Sequence, residues 1–92
     1  MAPKSIHKPE YQKLLELLVD IRTKAGLKQA ELAALLERPQ SYVSEVERGG
    51  RRLDLLQLRD YCGACDQDLV GFVKHFEKAI NADPGRKRRA SR

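Results

Sequence analysis

Apolar side chains at Tyr11, Leu14, Leu15, Leu18, Ile21 and Ala25 recur three and four residues apart, the spacing that lines one face of a helix. Pro9 suits the first turn of that helix, where a missing N–H costs nothing, and Gly26 suits its end. A second, short segment over residues 29–36 places Leu32, Ala33 and Leu36 on one face. A third, over residues 40–48, turns Val43 and Val46 inward and meets Gly49 and Gly50, whose tolerance of left-handed backbone stops a helix. Leu53 then precedes Asp54, a good N-cap, and Leu55, Leu58, Tyr61 and Cys62 continue a fourth amphipathic face to about Cys65. Asp68 can cap a fifth helix, whose stripe of Leu69, Phe72, Val73, Phe76 and Ile80 runs to about Asn81. The pattern predicts an all-α domain of five helices, without internal repeats.

Composition narrows this picture. The 92 residues suffice for one small domain, and 41% hydrophobic against 34% charged residues can support a core beneath a solvated surface. The longest apolar run, residues 14–19, is broken by Glu16 and is far short of the roughly 20 residues of a membrane span. It follows no basic leader with a small-residue cleavage site, and two cysteines are too few for a secreted disulfide framework. A reducing cytoplasm is the expected location, and no membrane partner is implied.

Charge is unevenly spread. The net charge is +5, yet thirteen Lys and Arg balance thirteen Asp and Glu over residues 1–85. The excess is Arg86, Lys87, Arg88, Arg89 and Arg92, which follow the Pro84-Gly85 breaker with no apolar anchor but Ala90. Residues 83–92 therefore read as a disordered basic arm suited to a polyanion, residues 1–8 as a frayed amino end, and residues 9–82 as the folded domain.

Only Glu37, Arg38 and Pro39 separate the second and third segments, so the chain must turn sharply between two short helices. That is helix-turn-helix geometry, and the small Ala33 lets the two helices approach. Leu32, Leu36, Val43 and Val46 would fill the shared core. Outward on the third segment stand Gln40, Ser41, Ser44 and Glu45, hydrogen-bonding groups of the kind that read base edges.

The stretch Leu27-Lys28-Gln29-Ala30-Glu31-Leu32-Ala33, with Pro39-Gln40-Ser41-Tyr42-Val43-Ser44 and Glu47-Arg48-Gly49, closely resembles the Xre/Cro family of phage repressors and bacterial regulators. The resemblance runs from about Leu14 to Leu69 and implies a five-helix, lambda-repressor-like domain. It implies a third helix in the DNA major groove and a homodimer on a near-palindromic operator of double-stranded DNA. By the same resemblance Gln29 would contact a phosphate, aided by the helix dipole, and Gln40, Ser41, Ser44 and Glu45 would face bases. Glutamine can bond adenine N6 and N7 together and a carboxylate can accept from cytosine N4, which makes Gln40 and Glu45 the specificity candidates. Lys28, Arg38, Arg51 and Arg52 are the further phosphate candidates. Arg22 and Glu47 match a family ion pair that ties the first helix to the third.

Three positions depart from the family pattern. Lys28 replaces a capping Ser or Thr, Glu37 replaces the turn glycine at a cost of roughly 1 kcal/mol if left-handed backbone is kept, and Arg38 replaces an apolar residue.

Cys62 and Cys65 match the C-x-x-C pattern of a redox pair or half a metal site. No second such pair exists, His7 and His75 are the only histidines, and both cysteines fall where the family places small or aliphatic core residues. They are expected in the core, and His75 in solvent. No cofactor or metal is implied, and these short helices assemble no catalytic set, so an enzyme is not expected. The expected function is repressor-like transcription regulation. The alternative is a protein-interaction module, such as the antitoxin partner of a toxin. The fifth helix is expected to form the dimer, with Phe76 and Ile80 exposed beyond the fourth helix.

Overall fold

The computed structural model describes residues 8–82; the basic arm expected at residues 83–92, and all but Lys8 of the frayed amino end expected at residues 1–8, lie outside the described residues. Five helices follow one another: α1 (Pro9–Lys24), α2 (Gln29–Leu35), α3 (Gln40–Arg48), α4 (Leu55–Ala64) and α5 (Leu69–Asn81). Proline opens α1 as its pattern predicts. Asp54 Oδ1 accepts from the Gln57 N–H at 2.8 Å while Gln57 Oε1 accepts from the Asp54 N–H at 2.9 Å, so α4 begins with two orphan donors satisfied reciprocally. Asp68 Oδ2 accepts from the Gly71 N–H at 2.9 Å to open α5. Lys28 supplies no side-chain cap to α2; instead Glu31 Oε1 accepts from the Lys28 N–H at 2.7 Å, keeping half of the reciprocal arrangement.

Four helix ends use one stop. After each, one residue adopts left-handed backbone and two consecutive N–H groups fold back onto carbonyls of the last turn. Gly26 and Gly49 do this at φ of 77° and 84°, where glycine pays no Cβ penalty. At the end of α2 the residue is Glu37, at φ 58°, with its N–H on Ala34 O at 3.1 Å and the Arg38 N–H on Ala33 O at 2.9 Å. Asp66, at φ 60°, closes α4 likewise through Asp66 N–H to Gly63 O and Gln67 N–H to Cys62 O. The left-handed Glu37 conformation is thus kept. Two of the four stops are strained because their side chains are not glycine.

The core gathers Leu18, Ile21, Leu32, Ala33, Tyr42, Val43, Val46, Tyr61, Cys62, Cys65 and Phe72, all buried, with Leu14, Leu36, Leu53, Leu58 and Leu69 packed partly against it. Ala33 at the α2–α3 crossing is 1% exposed, as a close helix pair requires. Tyr42 joins the core beside Val43 and one helical turn before Val46, an inward residue additional to the two valines.

The fifth helix corrects an expectation. Its outer residues do not stand clear: α5 packs along α1, Ile80 is 8% exposed and Phe76 is half-buried. The physical reason lies in α1, whose 16 residues extend about 24 Å and need cover along that length from α5 as well as from α3. Covering that length takes the stripe that was expected to remain free. The apolar side chains left exposed are Leu35, Leu55, Leu56, Val70 and Val73.

Candidate nucleic-acid interface

At the base of the interface lies a partly buried ion pair. Arg22 Nε donates to Glu47 Oε2 at 2.6 Å and its Nη2 to Glu47 Oε1 at 3.1 Å, a two-pronged contact from α1 to α3. Arg22 Nη1 also donates to Leu27 O at 2.8 Å, which fixes the chain between α1 and α2. The two side chains are only 13% and 8% exposed, so this pair is shielded from solvent screening. Tyr61 of α4 lies in the field of both charges. Burial, reinforced by Glu47, pushes its hydroxyl well above the ordinary tyrosine range, so the phenol stays neutral.

From Glu47 the network reaches the surface. Gln29 Nε2 donates to Glu47 Oε1 at 2.8 Å, and Gln40 Nε2 donates to Gln29 Oε1 at 3.0 Å. Because the carboxylate can only accept, it sets the direction of both amides: nitrogen toward Glu47, oxygen away. Gln29, the phosphate candidate, is therefore half-buried with both ends of its amide engaged inside the protein. It can still offer its second Nε2–H and its backbone N–H at the start of α2. Gln40 keeps its oxygen and its second N–H, the two groups that adenine N6 and N7 would meet.

Gln40, Ser41, Ser44 and Glu45 share one side of α3 with Arg48, at the spacing of a single helix face. Gln40 and Ser41 are exposed, while Ser44 and Glu45 are partly covered. Arg48 Nη1 donates to Ser44 Oγ, and Arg51 Nε lies 3.9 Å from Glu45 Oε1. The Glu45 and Arg51 side chains are both nearly half exposed, so that contact is weak and easily exchanged. Arg38 in the turn, and Arg51 and Arg52 after α3, are exposed, as is Lys28 at the head of α2.

Over residues 8–82, Lys and Arg equal Asp and Glu in number, so any positive field here comes from placement rather than from an excess. Lys28, Arg38, Arg48, Arg51 and Arg52 supply it, on and around the helix-turn-helix. Two residues of this region escape a reading of the sequence. Arg48 sits at the i+4 position to Ser44, a signal present in the spacing; Tyr42 lies beneath the surface, and its contacts with Arg38 and Arg51 are not readable from spacing.

The family described as helix-turn-helix domain matches residues 14–71 of the chain. A solved structure of an XRE-family like protein from Pseudomonas syringae pv. tomato str. DC3000 is 43% identical to it, over 83% of this chain and 93% of that one, with a TM-score of 0.75. The chain belongs to the XRE family of helix-turn-helix proteins. The clp gene regulator ClgR from Corynebacterium glutamicum shares the fold at 21% identity, with a TM-score of 0.70 over 82% of this chain and 80% of that one. The restriction-modification controller protein C.Esp1396I shares it at 24% identity, with a TM-score of 0.73 over 82% and 99%. No curated protein sequence matches the chain. The XRE-family fold is that of DNA-binding transcription regulators, and α2 and α3 are its helix-turn-helix.

Cys62 and Cys65 are 0% and 1% exposed, and burial pushes both thiols up to about 11. Thiols so protonated and enclosed behave as small apolar packing groups. Among the described residues no group of three His, Cys, Asp or Glu side chains is placed to hold a metal ion, and no helix is long and apolar enough to cross a membrane.

Proposed function

We propose that this XRE-family protein is a sequence-specific regulator of transcription that lays α3 in the major groove of double-stranded DNA. Gln40, Ser41, Ser44 and Glu45 read bases, and Lys28, Arg38, Arg51, Arg52 and the Gln29 N–H hold the backbone. It binds a near-palindromic site as a homodimer and represses by occluding a promoter. It acts in the cytoplasm and has no enzymatic role. The basic segment of residues 86–92 adds sequence-independent attraction.

The observation that carries this reading is the directed chain from Arg22 through Glu47 and Gln29 to Gln40. An ordinary solvated glutamine would be free to rotate, whereas this one is held by a buried charge with a donor and an acceptor left over. Holding a side chain in one orientation lowers the entropy lost on binding. That two fold relatives are named as a gene regulator and a controller protein agrees with the reading.

Selection of bound duplexes from a random pool tests it. An enriched palindrome with half-sites about one helical turn apart supports both the reading and the twofold symmetry. Uniform recovery of all sequences overturns specific recognition.

A further inference from the structure

Arg38 and Arg51 lie on different connections, one between α2 and α3 and the other beyond α3, yet both guanidinium groups lie over the same ring. The Arg38 carbon Cζ is 4.8 Å from the Tyr42 centroid and that of Arg51 is 5.2 Å from it. Both contacts fall within the roughly 6 Å at which a ring face attracts a cation. Tyr42 itself is 6% exposed and fixed in the core of α3, so the ring is a rigid platform rather than a side chain that follows the arginines. The Arg38 backbone is fixed as well, through its N–H on Ala33 O at 2.9 Å.

Two like charges at one ring repel each other, and the only carboxylate within ion-pair distance of either, among the described residues, is Glu45, 3.9 Å from Arg51. The arrangement leaves two planar, weakly hydrated cations gathered at one ring with most of their donors unspent. What relieves such a pair is an anion with several acceptor oxygens, and a run of phosphodiesters offers these at short intervals.

We infer that Tyr42 is a positioning residue of the interface, holding Arg38 and Arg51 as a single clamp on neighbouring phosphates of one DNA strand beside the recognition helix. The inference rests on the DNA-binding reading above and adds to it. The two arginines act as a unit, the ring is what makes them one, and the clamp contributes equally on every sequence because phosphates carry no base information. Arg51 also touches Glu45, so engaging a phosphate frees that carboxylate for a base.

The test preserves charge and removes only planarity. Affinity is measured by fluorescence anisotropy for a selected duplex and for a random-sequence duplex of equal length. The proteins are the full chain, the Arg38→Lys/Arg51→Lys double variant, and both again with Tyr42→Leu. The expected result is a fivefold or greater loss for the double lysine variant on both duplexes, shrinking to less than twofold in the Tyr42→Leu background. A double lysine variant that binds like the parent overturns the clamp, and an unchanged lysine effect in the Tyr42→Leu background overturns the role of the ring. If Tyr42→Leu melts below the assay temperature, the Nε–H resonances of Arg38 and Arg51 decide instead. Upfield ring-current shifts relative to Arg52 support the clamp, and ordinary positions overturn it. A parent that binds neither duplex sinks the DNA-binding reading itself, an outcome distinct from each of these.

Discussion

Gln40 donates to Gln29 across 3.0 Å, joining the first turns of the two helices of the helix-turn-helix at their exposed ends. Through this bond the orientation of a surface glutamine depends on a carboxylate buried two side chains away, since Gln29 is in turn held by Glu47 at 2.8 Å.

Base reading by α3 separates from phosphate holding in one comparison. Gln40→Ala and Glu45→Ala should each weaken binding to the selected site by about 1 to 3 kcal/mol while leaving affinity for random duplex nearly unchanged. Gln29→Ala, which frees the Gln40 amide to rotate, should mimic part of the Gln40→Ala loss. Anisotropy titrations on the two duplexes measure this, and equal losses on both would show that these side chains do not read bases.

Glu47→Ala should cost about 3 kcal/mol of folding stability, because it strands the Arg22 guanidinium and the Gln29 amide in a pocket where the two charged side chains were 13% and 8% exposed. Urea unfolding followed by circular dichroism gives the value. A change under 1 kcal/mol would mean that water reaches Arg22 freely. Glu47→Gln, which retains an acceptor for Gln29, should fall between the two.

The helix-turn-helix was legible in the sequence because its parts are local: Ala33 at the crossing, three residues in the turn, and polar groups at one spacing on α3. The boundaries of α3, α4 and α5 follow from Gly49, Asp54 and Asp68, which act within one helical turn of themselves. What could not be read were relations between distant residues. Tyr42 looks like one more residue of a polar helix until the turns on either side bring Arg38 and Arg51 to its ring. Ile80 reads as surplus apolar surface until α5 is laid along α1, a pairing of elements at opposite ends of the chain that periodicity alone leaves open. That the Gln29 amide donates to Glu47 and accepts from Gln40 is likewise a relation that its spacing does not reveal.

Ile80 is consequently a core residue of the single chain. Ile80→Ala should lower folding stability by about 2 to 4 kcal/mol, the usual range for truncating a buried aliphatic side chain, without changing the oligomeric state of the protein that remains folded. Thermal melting and sedimentation velocity measure the two quantities separately. Dissociation into stable monomers with an unaltered melting midpoint would restore the patch to an interface.

Glu37 and Asp66 hold the same left-handed backbone at φ of 58° and 60°, but their side chains pay differently for it. A short aspartate tolerates that region better than a glutamate does. Glu37→Gly should therefore stabilise the fold by about 0.5 to 1 kcal/mol, and Asp66→Gly by less. If Glu37→Gly instead destabilises, the Glu37 side chain has a compensating role in the turn.

Alkaline pH supplies the last prediction, through Cys62 and Cys65. In the unfolded chain these thiols ionise near their reference value of 9.0, and in the folded protein burial holds both up to about 11. The folded state therefore keeps protons that the unfolded state gives up. The stabilisation is fully present below pH 9 and is lost as pH rises from there through 11. Tyr61, raised by burial above its ordinary 10, acts in the same direction at the upper end of that window. The expected outcome is a folding stability that falls steadily above pH 9, by on the order of 1 to 3 kcal/mol per thiol across the window, and a melting midpoint that falls with it. In the Cys62→Ala/Cys65→Ala variant the fall should be shallower, even though its stability at pH 7 is lower for want of the two packing groups. Both thiols should also resist iodoacetamide at pH 8 until the chain is unfolded in urea. Rapid alkylation of the folded protein, or a midpoint with the same pH dependence in the alanine variant, would place the cysteines within reach of solvent and outside the core.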